Sequence, residues 1–227
     1  LPLFAILVIE IRRTQKEKME KHLNVTEIFY SLQGESTFSG YPCIFIRLSE
    51  CNLHCSYCDT QYAFGKGKSM AISSILDEIK NFPCSLVEIT GGEPLFQEDI
   101  DALFEALQQA KYDILLETNG SLSLAKVPSF VQKIVDVKTP GSGTGNSFLA
   151  ENLAYLNERD ELKFVLTDRQ DYQFALSFLE QNKPPINIIH FSPVTELLDA
   201  KELAKWMLQD GVKAKLTLQL HKIIGLK

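Results

Sequence analysis

The sequence has no excess of basic charge: 23 Lys and Arg stand against 29 Asp and Glu, a formal net charge of −6. A chain that neutralises phosphates needs a basic face or stripe, so this balance argues against a nucleic-acid backbone as partner, and the lack of a long Lys/Arg run argues against an anionic membrane surface. Membrane-length hydrophobic runs are missing too. The apolar stretch 1–9 is shorter than the roughly 20 residues that cross a bilayer. Arg12 and Arg13 follow that stretch instead of preceding it, the reverse of a secretory signal. Cysteine is sparse and odd in number, five in all. Three fall within residues 51–58, too crowded for each to find an unstrained disulfide partner, which points to a reducing compartment and a metal. Internal repeats, low-complexity segments and long linkers are also absent, so a 227-residue chain that is 45% hydrophobic reads as one globular domain acting on a small molecule.

Residues 1–18 differ in character from the rest and read as an N-terminal extension, with a single domain over 19–227. Within that domain short apolar runs alternate with helical patterns, the signature of strand and helix units around a parallel sheet. Strands are predicted over 43–48, 86–90, 114–117, 134–137, 162–166, 186–191 and 215–220. Helical spacing links Ile72, Ile75, Leu76 and Ile79, then Ile100, Leu103, Phe104 and Leu107. It returns at Tyr172, Ala175, Leu176 and Leu179 and at Ala200, Leu203, Ala204 and Met207. These stripes, and the lone Trp206, are core packing. The fold class is α/β. A complete eight-unit barrel takes about 250 residues, so the shorter domain here predicts a partial or abbreviated parallel (β/α) barrel.

The unusual residues fall at strand ends. Cys51, Cys55 and Cys58 follow the first predicted strand, Gly91, Gly92, Glu93 and Pro94 the second, Thr118, Asn119 and Gly120 the third, and Lys138 to Gly143 the fourth. Lys163 lies inside the fifth, Ser192 and Pro193 follow the sixth, and His221 and Lys222 follow the last. In a parallel barrel all carboxyl ends open on one face, so these segments converge. The cysteine spacing C-x3-C-x2-C lacks a nearby fourth thiol, and three ligands leave one iron of a four-iron cluster open for a cofactor. A zinc site using His54 lacks the usual paired spacing. A thioredoxin-like pair, Cys55 and Cys58, explains neither Cys51 nor the glycines. Cys43 and Cys84 sit in or beside apolar runs as small hydrophobes.

The cysteine loop, the Gly-Gly-Glu-Pro turn and their order resemble the radical S-adenosylmethionine (SAM) superfamily. Segments 27–35, 45–48, 58–60, 88–94, 117–120, 136–143, 163–164 and 219–222 resemble, within it, the 7-carboxy-7-deazaguanine synthase family of the queuosine pathway. The resemblance implies a lyase that contracts the ring of 6-carboxy-5,6,7,8-tetrahydropterin to 7-carboxy-7-deazaguanine with loss of ammonia. It implies a 4Fe-4S cluster on Cys51, Cys55 and Cys58, SAM on the open iron and Mg2+ on Thr60. Reduced by an external electron, the cluster cleaves SAM to a 5′-deoxyadenosyl radical that takes hydrogen from substrate C6. SAM contacts fall on Tyr57, Cys58, Asp59, Gly91, Gly92, Glu93 and Ser142, substrate contacts on Leu32, Gln33, Gly34, Glu35, Arg47, Thr90 and His221. An electron donor such as flavodoxin or ferredoxin, a homodimer and a cytoplasmic location are implied as well. Two other readings stay open from sequence: a radical SAM activase that places a glycyl radical on a partner protein, and a non-catalytic iron-sulfur electron-transfer or zinc-binding module.

Overall fold

The structure is a computed structural model that describes residues 20–226; the extension expected over 1–18 lies outside the described residues. The strands are β1 (His22–Leu32), β2 (Pro42–Leu48), β3 (Lys68–Ala71), β4 (Leu86–Gly91), β5 (Asp113–Thr118), β6 (Gln132–Asp136), β7 (Glu161–Leu166), β8 (Ile188–Pro193) and β9 (Lys215–Leu216). They form one sheet in the order β3-β1-β2-β4-β5-β6-β7-β8-β9. From β2 to β9 each neighbouring pair is parallel, whereas β1 runs antiparallel to β2 and β3. Because β3 and β9 are unjoined edges, the predicted partial barrel is what forms.

Strand periodicity sorts the side chains into two layers. Ile44, Ile46 and Leu48 of β2, with Val87 and Ile89 of β4, face outward and pack with α1 (Ile72–Ile79) and α2 (Ile100–Gln109). Leu162, Phe164 and Leu166 of β7 do the same against α3 (Arg169–Asn182) and α4 (Ala200–Asp210), and Trp206 joins that core as expected. Alternate residues face inward. Near the amino ends of the strands these are apolar, and Cys43, Phe45, Leu86, Leu115 and Ile134 plug the barrel. Toward the carboxyl ends they turn charged, with Arg47, Glu88, Glu117, Asp136 and Lys163 lining a cavity.

Six of the seven predicted strands form with ends shifted by at most two residues. The seventh is corrected: the strand expected over 215–220 stops after Leu216, and Leu220–Ile224 form a short helix, α5. The cause is local. β9 pairs on one side only, with β8, and after Thr217 N–H donates to Phe191 O the chain leaves the sheet, so that Leu220 N–H donates to Gly34 O at 3.0 Å. Strands β1 and β3 were absent from the sequence reading. Polar residues interrupt β1, whose Leu23 and Val25 alone are fully buried, and β3 is a four-residue edge.

Candidate active site

The loop that carries the three cysteines starts at Glu50, whose φ of 68° turns the chain off β2. A non-glycine residue takes that conformation only when its surroundings hold it. Here Glu50 N–H donates to Ala63 O at 2.7 Å, and Glu50 O accepts from Glu93 N–H at 2.8 Å. The end of β4 therefore runs directly against the loop entrance. A Cβ on Gly91 would stand 2.5 Å from Leu48 O, and one on Gly92 1.8 Å from Glu50 O. Only glycine permits that approach.

Beyond this turn the thiols face a cavity of about 820 Å³. Cys51 Sγ accepts from Leu53 N–H at 3.4 Å and from the Asn119 amide at 3.8 Å, and Cys55 Sγ lies 3.4 Å from Thr144 Oγ1. Ser56 ties the loop to the segment after β6, its N–H donating to Ser142 O and its hydroxyl to Gly141 O. All five cysteines are free. Burial raises the Cys51 and Cys58 thiols above their ordinary values, protons that a bound iron displaces outright. Among the described residues no three His, Cys, Asp or Glu side chains close into a ready metal cage; a cluster holds its thiolates apart at separate corners, so three soft donors around one open cavity fit it. His54 is exposed, its ring against Phe64 at 4.9 Å and outside the cavity wall, which removes the ligand the zinc reading needed.

Beside the cysteines stand Tyr57, Asp59 and Thr60, and all three line the cavity. Tyr57 O–H donates to Val165 O at 3.4 Å, with the Lys138 ammonium 5.9 Å over its ring. Thr60 O–H donates to Asp59 Oδ1 at 2.8 Å, and Asp59 Oδ2 pairs with Lys222 of α5 at 2.7 Å. Burial works to raise the Asp59 carboxyl, but Lys222 and the Thr60 hydroxyl outweigh it and bring it to about 2. The pair is half-exposed, so solvent screens most of its worth.

Leu32, Gln33, Gly34, Glu35, Arg47, Thr90 and His221 line the same cavity. Arg47 Nε is 2.9 Å from Glu27 Oε1. Gln33 accepts from the N–H groups of Glu35 and Ser36 and donates to Glu88 at 3.0 Å, which sets the loop after β1. The His221 ring sits where Gly34 would carry a side chain: a Cβ there would lie 2.2 Å from Nδ1.

Fifteen of the seventeen residues singled out in the sequence thus line one cavity; Glu93 and Ser142 do not. Glu93 is fully buried, accepting from Leu95 N–H, Thr118 O–H and Asn119 N–H at 2.7–3.1 Å. Ser142 is equally buried and donates to Thr139 O at 2.6 Å. Both support the cavity walls from behind.

Apart from Glu35, the charged groups of the floor were given no role from sequence. Lys163 pairs with Glu35 at 2.8 Å and with Glu117, and reaches Asp136 at 4.0 Å. Glu117 accepts from Thr90 O–H at 3.0 Å, Glu35 accepts from Gln219 at 2.7 Å, and Asp136 pairs with Lys138 at 2.7 Å. Burial, then Glu117 and Glu35, push the Glu88 carboxyl up to about 8. Asp136 Oδ1 is buried with no hydrogen-bond partner. The signal for these groups was legible: a charged residue inside an otherwise apolar parallel strand, as at Glu88 and Lys163, points into a barrel or is not there.

Comparison with known proteins agrees with this geometry. Residues 46–140 match the Radical SAM superfamily. A 7-carboxy-7-deazaguanine synthase of Koribacter versatilis is 45% identical, over 89% of this chain and 96% of that protein. One of Chlorobaculum tepidum is 42% identical, over 90% and 95%. The crystal structure of QueE from Escherichia coli superposes with a TM-score of 0.74 over 88% of this chain and 95% of that one, at 24% identity, and so shares the fold.

Proposed function

The chain belongs to the 7-carboxy-7-deazaguanine synthase family of radical SAM enzymes, and from that membership we infer that it contracts the ring of 6-carboxy-5,6,7,8-tetrahydropterin to 7-carboxy-7-deazaguanine, releasing ammonia. The observation that carries the reading is convergence: the cysteine loop and the wall formed by Gln33, Gly34, Glu35, Arg47 and Thr90 open on the same cavity of about 820 Å³. That is ample for a cofactor and a bicyclic substrate side by side.

When bound, the 4Fe-4S cluster and SAM supply a carbon-centred radical that takes a hydrogen atom. The chain's own residues position and shield. Cys51, Cys55 and Cys58 tether the iron. Gly91 and Gly92 offer side-chain-free backbone at the end of β4 to the amino and carboxylate groups of SAM, and Tyr57 and Asp59 flank its adenine. Arg47 presents a planar fork to the substrate carboxylate. Thr60 offers a hydroxyl lone pair to Mg2+, which commonly takes only one or two oxygens from protein and the rest from substrate and water. Glu35 accepts from the pterin's N–H donors, and Thr90 and His221 complete that wall.

Further parts of the assignment rest on chemistry. A flavodoxin or ferredoxin delivers the electron. The exposed Ile223, Ile224 and Leu226 support pairing of two chains. Free cysteines and the need for a reductant support the cytoplasm, and among the described residues no helix is long and apolar enough to cross a membrane. The test is anaerobic reconstitution with iron and sulfide, then SAM, a reductant and 6-carboxytetrahydropterin: 7-carboxy-7-deazaguanine and one ammonia per turnover are expected. SAM cleavage without pterin conversion contradicts the assignment.

A further inference from the structure

The charged floor carries a role that the assignment above does not use. We propose that Lys163 is the positioning residue of the substrate wall: its ammonium holds Glu35 directly, and through Glu117 it sets the hydroxyl of Thr90. The inference rests on the family reading for the identity of the substrate.

Lys163 is almost without solvent contact, with a side chain 6% exposed, so it acts through its partners. Those partners come from separate elements. Glu35 lies in the loop after β1, Glu117 on β5 and Asp136 on β6. Glu88 of β4 stands close to Glu117 and Glu35, Lys138 neutralises Asp136 from the segment after β6, and His221 of α5 faces Glu35. Four carboxyl groups therefore surround two ammonium groups. The buried Lys133 gives the contrast, because it pairs with Asp160 alone at 2.9 Å and lies off the cavity wall, a closed structural pair. Around Lys163 the carboxylates of Glu35 and Glu117 keep acceptor capacity beyond the bonds they make to Lys163, Gln219 and Thr90. Such a floor suits a flat heterocycle with neighbouring N–H donors, which finds Glu35 already ionised and aimed.

The ionised state depends on the lysine. Burial works to raise the Glu35 carboxyl, yet Lys163, helped by Gln219 and His221, outweighs it and holds the carboxyl below its usual range. Without the ammonium, burial and the neighbouring carboxylates are opposed only by Gln219 and His221, and Glu35 gains a proton at higher pH. The active, ionised form is then lost earlier as pH falls, so the acid limb of kcat/KM moves upward.

The test is kcat/KM for the pterin against pH, with cluster content and equilibrium SAM binding as controls, for the reconstituted wild type, Lys163→Met and Lys163→Arg. For Lys163→Met we expect a rise in KM of about tenfold or more, an acid limb at higher pH, and cluster and SAM binding unchanged. Lys163→Arg keeps the charge but replaces a compact ammonium by a planar fork, so KM rises while the acid limb stays. A Lys163→Met enzyme whose acid limb does not move refutes the proposal, whatever its KM, since packing loss lowers the curve without shifting it. If that variant does not fold, Lys163→Arg with a wild-type KM refutes it. A wild type that converts no pterin removes the family reading and this inference together.

Discussion

Thr60 contributes one hydroxyl to the cavity, and Asp59 already accepts its proton at 2.8 Å. The oxygen lone pairs are thereby left for a cation, and a Mg2+ held there would share its coordination shell with the substrate. Thr60→Ala should lower pterin turnover and weaken its magnesium dependence while cluster content and SAM binding stay near wild type, and Thr60→Ser should restore most of the loss. Rate curves against magnesium that coincide for all three proteins remove the metal from Thr60. The cysteines divide in the same way. Cys55→Ala should lose both cluster retention and SAM cleavage, because two thiolates cannot tether the cluster. Cys43→Ser, within the barrel plug, should keep the cluster and cost on the order of 1–2 kcal/mol of stability for burying a hydroxyl. Iron content and thermal unfolding separate the two outcomes. That Cys51, Cys55, Cys58 and Thr60 meet at one cavity was legible in the sequence because spacing within one loop survives any fold. Glu93 and Ser142 lie buried behind the cavity wall, which was not legible because a motif shows which residues are near a site without showing which way each side chain turns.

The strand-end glycines act at the scale of whole elements, since they let β4 and the cysteine loop share one wall. Gly92→Ala would put a Cβ 1.8 Å from Glu50 O, a backbone atom that cannot swing aside. We expect a loss of about 1–3 kcal/mol, in the range of overpacked sites, together with weaker cluster retention, since the displaced atoms lead straight into Cys51. Wild-type melting and full iron content would show that the turn is loose. The parallel strands and their helices were readable from period alone, because each buries one apolar stripe. β1 escaped because it pairs antiparallel at the rim with polar residues on both faces, and α5 because its course is set by what it docks on. Gly34 O, Glu35 and Asp59, which receive it, lie far away in sequence. No local pattern encodes such a contact.

At the scale of the molecule the open barrel gathers loops from most of its strands over one floor, with an apolar plug below and charge above. The cysteine loop and the residues proposed to hold the pterin line one space, as hydrogen transfer between SAM and substrate would require. The most direct test uses 6-carboxytetrahydropterin carrying deuterium at C6 with the reconstituted enzyme, reductant and SAM, followed by mass analysis of recovered SAM and 5′-deoxyadenosine. The account predicts deuterium in that pool, appearing in step with 7-carboxy-7-deazaguanine. Product formed while SAM and 5′-deoxyadenosine stay unlabelled would contradict it.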